Sequence, residues 1–267
     1  MPREITIPKF DLTGKTAIIT GGTRGLGFGI AATYASYGAN VVITARTASD
    51  VMTSSAEVQE KYIKGNNRCI GVSADASKQK DIDQIIAQTM EAFGRIDILV
   101  NNAGISGKTA NILMDECDEE NFDKFIATNL KSVFLLTKAV VKQMVALKIG
   151  GKIINMASVG GLIGGKGVVA YGASKAGILS LTKTMANEFA RYNITVNAIC
   201  PGYVVTPLNE DVFANEEIRK KMEARTAVRR LGTIEEVAGP ALAMASDSFS
   251  YMTGTYILLD GGQTIGG

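Results

Sequence analysis

The run TAIITGGTRGLGFG, residues 16–29, puts a short apolar strand directly ahead of a glycine-rich turn, and the turn passes straight into a helical stretch. Glycines 21, 25 and 27 let the backbone reverse tightly and approach a pyrophosphate at a helix N-terminus, where unpaired N–H groups favour an anion. The spacing is not G-x-G-x-x-G, because Ile30 stands where the last glycine would fall. Taken alone, such a turn is also an ordinary strand-to-helix connection. What lies around it decides between the two readings.

Outward from the turn, apolar runs alternate with helical patterns. Residues 40–45, 68–73, 96–101, 151–156, 194–199 and 255–260 read as further strands, and 25–37, about 50–64, 78–93, 119–148, 170–191 and 234–246 as helices. The strands are rich in Ile and Val and lack strict alternation, as parallel strands buried on both faces do. Strand-then-helix repetition implies right-handed crossovers and helices on both sides of the sheet. The expectation is α/β: one domain over residues 11–267 after an N-terminal tail, 1–10, with a doubly wound parallel sheet of about seven strands. The least regular segment, 202–233, is polar, follows a strand and is expected to form a lid.

Composition removes several classes of function. The 267 residues carry a formal charge of +2, with scattered basic residues and no stripe or polybasic patch for nucleic acid or a membrane surface. No apolar run is long enough for a signal or a membrane span, and Cys69, Cys117 and Cys200 lack CxxC spacing, so a reduced, cytoplasmic setting is expected. Histidine is absent, which excludes Ser-His-Asp hydrolysis, histidine-bearing zinc sites and dehydrogenases with a histidine acid. Proton transfer must then fall to a carboxylate, a thiol, or a shifted tyrosine or lysine. The stretch AYGASKAG, 170–177, supplies Tyr171 and Lys175 one helical turn apart on one face. An ammonium there favours the phenolate and brings the tyrosine toward the working range.

Five signatures together resemble the short-chain dehydrogenases/reductases. They are the T-G-x-x-x-G-x-G turn (Thr20, Gly21, Gly25, Gly27), NNAG at 101–104, Ser158 ahead of Tyr171, Y-x-x-x-K, and Pro201-Gly202 after the sixth strand. The resemblance runs from about residue 11 to about 263, with each signature in order, and implies a Rossmann-type fold. It implies that Tyr171 is the general acid/base, that Lys175 holds the nicotinamide ribose and lowers the tyrosine pKa, and that Ser158 bonds the substrate oxygen. Asn129 would bend its helix and hold a relay water. The same resemblance assigns cofactor contacts to Gly21, Thr23, Arg24, Gly25, Leu26, Gly27, Arg46, Thr47, Asp75, Ala76, Asn102, Ala103, Gly104, Pro201, Gly202, Val204 and Thr206, alongside Tyr171 and Lys175. No metal is needed. Asp75 reads equally well as part of a helix start.

The cofactor expected is NADP(H) rather than NAD(H). NAD sites place an acid about 20 residues past the turn, where this chain has Ala45, followed by Arg46 and the donors Thr47 and Ser49, with Arg24 in the turn. Asp50 is expected to start the next helix. The substrate is a small-molecule ketone or alcohol, in appearance closest to the sugar acids and polyols of gluconate 5-dehydrogenase-like reductases. Hydroxysteroids and 3-oxoacyl thioesters are alternatives, the latter weakened because Tyr192 stands where those reductases tend to carry an arginine. A catalytically silent nucleotide-binding protein is the rival of another class, and a sugar-nucleotide epimerase would need a longer C-terminal region. A homotetramer is expected, through the two long helices and the C-terminal segment, with Val133, Leu136, Val140, Ile178, Leu181 and Met185 as surplus apolar residues.

Overall fold

The structure is a computed structural model that describes residues 7–106, 112–207 and 209–266. Residues 1–6 of the expected tail lie outside it, as does residue 208 of the expected lid. Seven strands form one sheet: β1 (Thr16–Thr20), β2 (Asn40–Ala45), β3 (Cys69–Ser73), β4 (Ile98–Asn101), β5 (Gly151–Met156), β6 (Ile194–Pro201) and β7 (Tyr256–Leu259). Every pairing is parallel and the order is β3-β2-β1-β4-β5-β6-β7, so the winding reverses between β1 and β4. Open α/β sheets bind ligands beyond the strand C-termini at such a reversal.

The unbroken apolar strands follow from two covered faces. Ala17 and Ile19 point into one core with Val41, Ile43, Ile98 and Val100, while Ile18 points into the other with Val42, Leu99 and Ile153. The first core is closed by α1 (Gly25–Ser36) and α9 (Ile234–Ala245), with α2 (Ala48–Lys61) beside them. The second is closed by α3 (Gln79–Phe93), α5 (Ser132–Leu147) and α6 (Val169–Phe189). Val133, Leu136, Val140, Ile178 and Met185 are buried within this chain, and Leu181 packs against the same core. They face their own sheet, contrary to the expectation that they are surplus for an interface.

The long helix expected over 119–148 is divided. α4 (Glu119–Phe125) passes through a π-helical turn, Ile126–Lys131, into α5. Such turns insert a residue and cluster at functional sites, and this one carries the fully buried Asn129. The segment expected as a lid holds two short helices, α7 (Glu210–Phe213) and α8 (Glu216–Glu223). Its two ends are clasped to each other: Gly232 N–H donates to Tyr203 O at 2.8 Å, and Val205 N–H donates to Gly232 O at 3.1 Å.

Candidate active site

The site is built from the turn that follows β1. Gly21 and Gly25 adopt φ of +62° and +55°, the left-handed region that disfavours side chains. Gly27 serves another purpose. A Cβ there would come within 2.2 Å of Gly21 O and 2.4 Å of Asn102 Nδ2, so its bare backbone lets the helix start pack against the turn. Thr20 ties the turn to the next strand end, since its Oγ1 accepts from Asn102 N–H at 3.0 Å and Ala103 N–H at 2.9 Å. Asn102 returns the link through Nδ2, which donates to Thr20 O at 2.9 Å and Gly21 O at 3.1 Å.

These elements open onto a cavity of about 360 Å³ along the strand C-termini. Its wall carries Gly21, Thr23, Arg24, Gly25, Leu26, Arg46, Thr47, Asp75, Ala76, Asn102, Ala103, Gly104, Ser158, Tyr171, Lys175, Pro201, Gly202, Val204 and Thr206, all of them expected from sequence. Gly27 and Asn129 are absent from the wall. Asn129 spends its amide on protein atoms: Oδ1 accepts from Ile105 N–H at 2.8 Å, while Nδ2 donates to Ile105 O at 3.1 Å and Ser174 Oγ at 3.2 Å. It shapes the site from behind. Sequence reasoning missed Ile105, Ser106, Thr128, Ser132, Met156, Ala157 and Asn209, which also line the wall. Most of them sit just past a strand or on the π-helical turn, where no motif marks them. Asn209 accepts from Thr206 N–H at 2.8 Å and donates to Val204 O at 2.8 Å, fixing the 204–209 stretch beside the cavity.

At one end of the cavity Ser158, Tyr171 and Lys175 converge. Ser158, two residues past β5, keeps extended geometry, φ −172°, and accepts from Gly160 N–H at 3.1 Å, which turns the chain toward α6. A Cβ on Gly160 would stand 3.2 Å from Tyr171 Cε1, so the small residue leaves room for the ring. The ring lies edge-on to Phe125, 6.4 Å between centroids. Lys175 is 6% exposed, and its Nζ donates to Met156 O at 2.7 Å while standing 5.7 Å from the Tyr171 ring centroid. Burial pushes this ammonium down to about 8. Burial also pushes the Tyr171 phenol up from its ordinary value, with a hydrogen bond to Ser158 pulling the other way. The lysine was expected to bring the tyrosine down. In the free protein removal from water wins, and the lysine proton is turned toward a carbonyl.

At the other end Arg24, Arg46 and Thr47 surround the end of β2, with Ala45 where an acid would repel a phosphate. Two carboxylates share this end. Asp50 lies in the first turn of α2, as expected, and on the cavity wall as well. Burial raises the Asp75 carboxyl, but bonds from Ser77 N–H (3.0 Å) and Oγ (2.7 Å), together with the charges of Lys78 and Arg46, hold it below the ordinary range. Asp75 is thus both a turn residue ahead of α3 and a wall residue. Among the described residues no group of three or more His, Cys, Asp or Glu could hold a metal ion, and no helix is long and apolar enough to cross a membrane.

A parallel sheet with a glycine turn at its switch point and a serine–tyrosine–lysine set on the same cavity defines an oxidoreductase scaffold. A family model described as enoyl-(acyl carrier protein) reductase matches residues 21–264. The oxidoreductase UcpA of Salmonella typhimurium is 40% identical, covering 95% of this chain and 96% of its own. The 2-dehydro-3-deoxy-D-gluconate 5-dehydrogenase of Dickeya dadantii is 36% identical over 95% of this chain and 96% of its own. The 3-oxoacyl-[acyl-carrier-protein] reductase of a Synechocystis species is 37% identical over 95% and 98%. A crystal structure of a short-chain type dehydrogenase/reductase from Mycobacterium marinum superposes with a TM-score of 0.88 at 35% identity, covering 96% of this chain and 98% of that one. The chain belongs to the short-chain dehydrogenase/reductase family.

Proposed function

We propose that the protein is an NADP(H)-dependent oxidoreductase interconverting a secondary alcohol and a ketone, on substrates of the sugar-acid or polyol class, in the cytoplasm and as a homotetramer. One observation carries the reading: a hydroxyl, a phenol and an ammonium converge at the end of a cavity whose other end is the glycine turn. The residues fit a dinucleotide. Bare backbone at Gly21 and Gly25, two guanidiniums at Arg24 and Arg46, and polar groups from Thr23 to Asp75 suit its phosphates and riboses. When bound, the cofactor supplies or accepts the hydride.

The protein's own part is orientation and the proton. Ser158 Oγ donates to the carbonyl oxygen and fixes it beside Tyr171. The Tyr171 hydroxyl gives its proton to that oxygen as the C–H bond forms, and takes it back in oxidation. A phenol raised by burial is held protonated at neutral pH, which suits reduction. Lys175 reaches the ribose hydroxyls from Met156 O, and its charge stabilises the tyrosinate left behind. Asn129 holds the 104–106 backbone against α6, so the relay water assigned to it would be met by its main chain rather than its amide. The Dickeya relative supports a sugar-acid substrate, and the Synechocystis relative keeps a 3-oxoacyl thioester as the second reading.

A panel of ketones assayed with NADPH and NADH tests substrate and cofactor together. Wild type is expected to favour NADPH in kcat/KM, and Ala45→Asp with Arg46→Ile to shift toward NADH; equal or better wild-type values with NADH refute the preference. Tyr171→Phe is expected to lose at least roughly a hundredfold in kcat while still binding NADPH. A variant retaining a tenth of wild-type turnover, with chemistry rate-limiting, removes the tyrosine from its role.

A further inference from the structure

Below the reacting groups a row of polar side chains crosses the core. Asn101 on β4 and Asn155 on β5 are register partners. Asn101 Nδ2 donates to Thr137 Oγ1 on α5 and to Asn155 Oδ1, both at 2.9 Å; Asn155 Nδ2 donates to Thr182 Oγ1 on α6 at 2.9 Å; and Thr182 Oγ1 donates to Ile178 O at 2.8 Å. All four side chains are at most 4% exposed. The same strands bury Ile98, Leu99, Val100, Ile153, Ile154 and Met156, so amides here carry a desolvation cost that hydrogen bonding must offset.

The row meets the reaction centre through one strand end. Asn155 precedes Met156, whose carbonyl accepts the Lys175 ammonium, and Thr182 stands two turns along α6 from Lys175, on the same face. α6 is therefore tied to adjacent residues of β5 at two points. Nearer the cavity Ser174 adds a hydrogen bond, accepting from Asn129 Nδ2 at 3.2 Å, but beyond Lys175 the inward face presents Ile178, Leu179 and Met185, whose apolar contacts are non-directional and tolerate small rotations and slides. Hydrogen bonds do not.

We propose that Asn155 and Thr182 are positioning residues for Lys175 and Tyr171: their hydrogen bond fixes the rotation and axial register of α6, and so the place of both groups in the cavity. This rests on the oxidoreductase reading above. Thr182→Val keeps the shape and removes the hydroxyl, while Thr182→Ser keeps the hydroxyl and removes a methyl. Both are expected to fold, checked by urea unfolding. The valine variant is expected to lose roughly tenfold in kcat and to raise the KM for NADPH several-fold. The serine variant is expected to stay within about twofold of wild type in both, although it too loses buried contacts. A merely structural residue predicts the opposite, folded variants with equal activity. Wild-type kcat in folded Thr182→Val, or equal losses in the two variants, overturns the proposal. If wild type itself turns over no ketone, the functional reading has failed, and positioning is judged by the rate of Lys175 acetylation with trace acetic anhydride, read by peptide mass spectrometry. A changed rate in the valine variant alone supports it, and equal rates in all three proteins refute it.

Discussion

Lys175 sits in the free protein as a charge the fold does not welcome. Its ammonium is brought from an ordinary 10.5 to about 8 by burial, so from pH 8 to 10.5 the unfolded chain binds more protons than the folded one. Stability must then rise with pH across that window, and below it the folded state carries the whole cost of the buried charge. Replacing the lysine with methionine removes that cost but leaves Met156 O without its donor, a loss of about 1 kcal/mol. The shift is the larger effect. Lys175→Met is expected to stabilise the free protein by about 2 kcal/mol at pH 7, the gain fading toward pH 10.5. Urea midpoints at the two pH values check it, and a variant less stable at pH 7 contradicts the account. The identities of Ser158, Tyr171 and Lys175 were legible in the sequence because their spacing on one strand end and one helix is local. The raised Tyr171 was not legible, because the wall that removes its water comes from residues far apart in the chain. The same holds for Asp50, a helix-start residue by sequence that the fold also places on the cavity wall with Arg24 and Arg46.

At the scale of elements, the connection from β1 to α1 depends on one contact distance. An alanine in a helix is worth up to about 1 kcal/mol over glycine. At Gly239 on α9 an added Cβ meets nothing within 4 Å outside its chain neighbours, but the ring of Pro240, next in the helix, disfavours helical geometry in a preceding residue with a Cβ and offsets that gain. At Gly27 the Cβ would stand 2.2 Å from a backbone oxygen, and overlap of that kind costs about 1–3 kcal/mol. Gly27→Ala is therefore expected to be net destabilising and to weaken NADPH binding tenfold or more, measured by urea unfolding and fluorescence titration. An equally stable protein with unchanged affinity would show that the turn can relax. The strands were legible to within a residue or two, because continuous Ile/Val runs admit few alternatives. The π-helical turn was not: Asn129 was singled out as odd in an apolar helix, yet the inserted residue leaves no mark on the periodicity. The reason for Gly27 also changed, from ligand contact to packing, since sequence cannot tell which neighbour a missing side chain makes room for.

For the whole molecule, a homotetramer remains the expectation, on different residues from those first named. Phe134 and Leu147 on α5 are 45% and 41% exposed, and Tyr256 on the edge strand β7 is 38% exposed, with Tyr251 ahead of it and Ile265 after it in the chain also bare. An edge strand and exposed aromatic and aliphatic side chains on a long helix are features that copies of one chain bury symmetrically. Light scattering at micromolar concentration should give about four times the chain mass, and Phe134→Glu should shift it toward smaller species. A monomeric wild type dismisses the expectation. The apolar positions of α5 and α6 were visible in sequence, but which side of the helix faces the sheet is settled only by packing.

The clasp between Tyr203–Val205 and Gly232 has an evolutionary consequence. A segment that leaves and re-enters the body at one point can be lengthened, trimmed or traded with little effect on the sheet, because closing a longer loop adds only slowly to its entropic cost. Ser158, Tyr171 and Lys175 lie outside that segment, just past β5 and on α6, so a change in its length leaves their anchoring untouched. What such a protein accepts can then drift independently of how it reacts. Relatives matching this chain almost end to end are named for substrates as unlike as a sugar acid and an acyl carrier protein thioester.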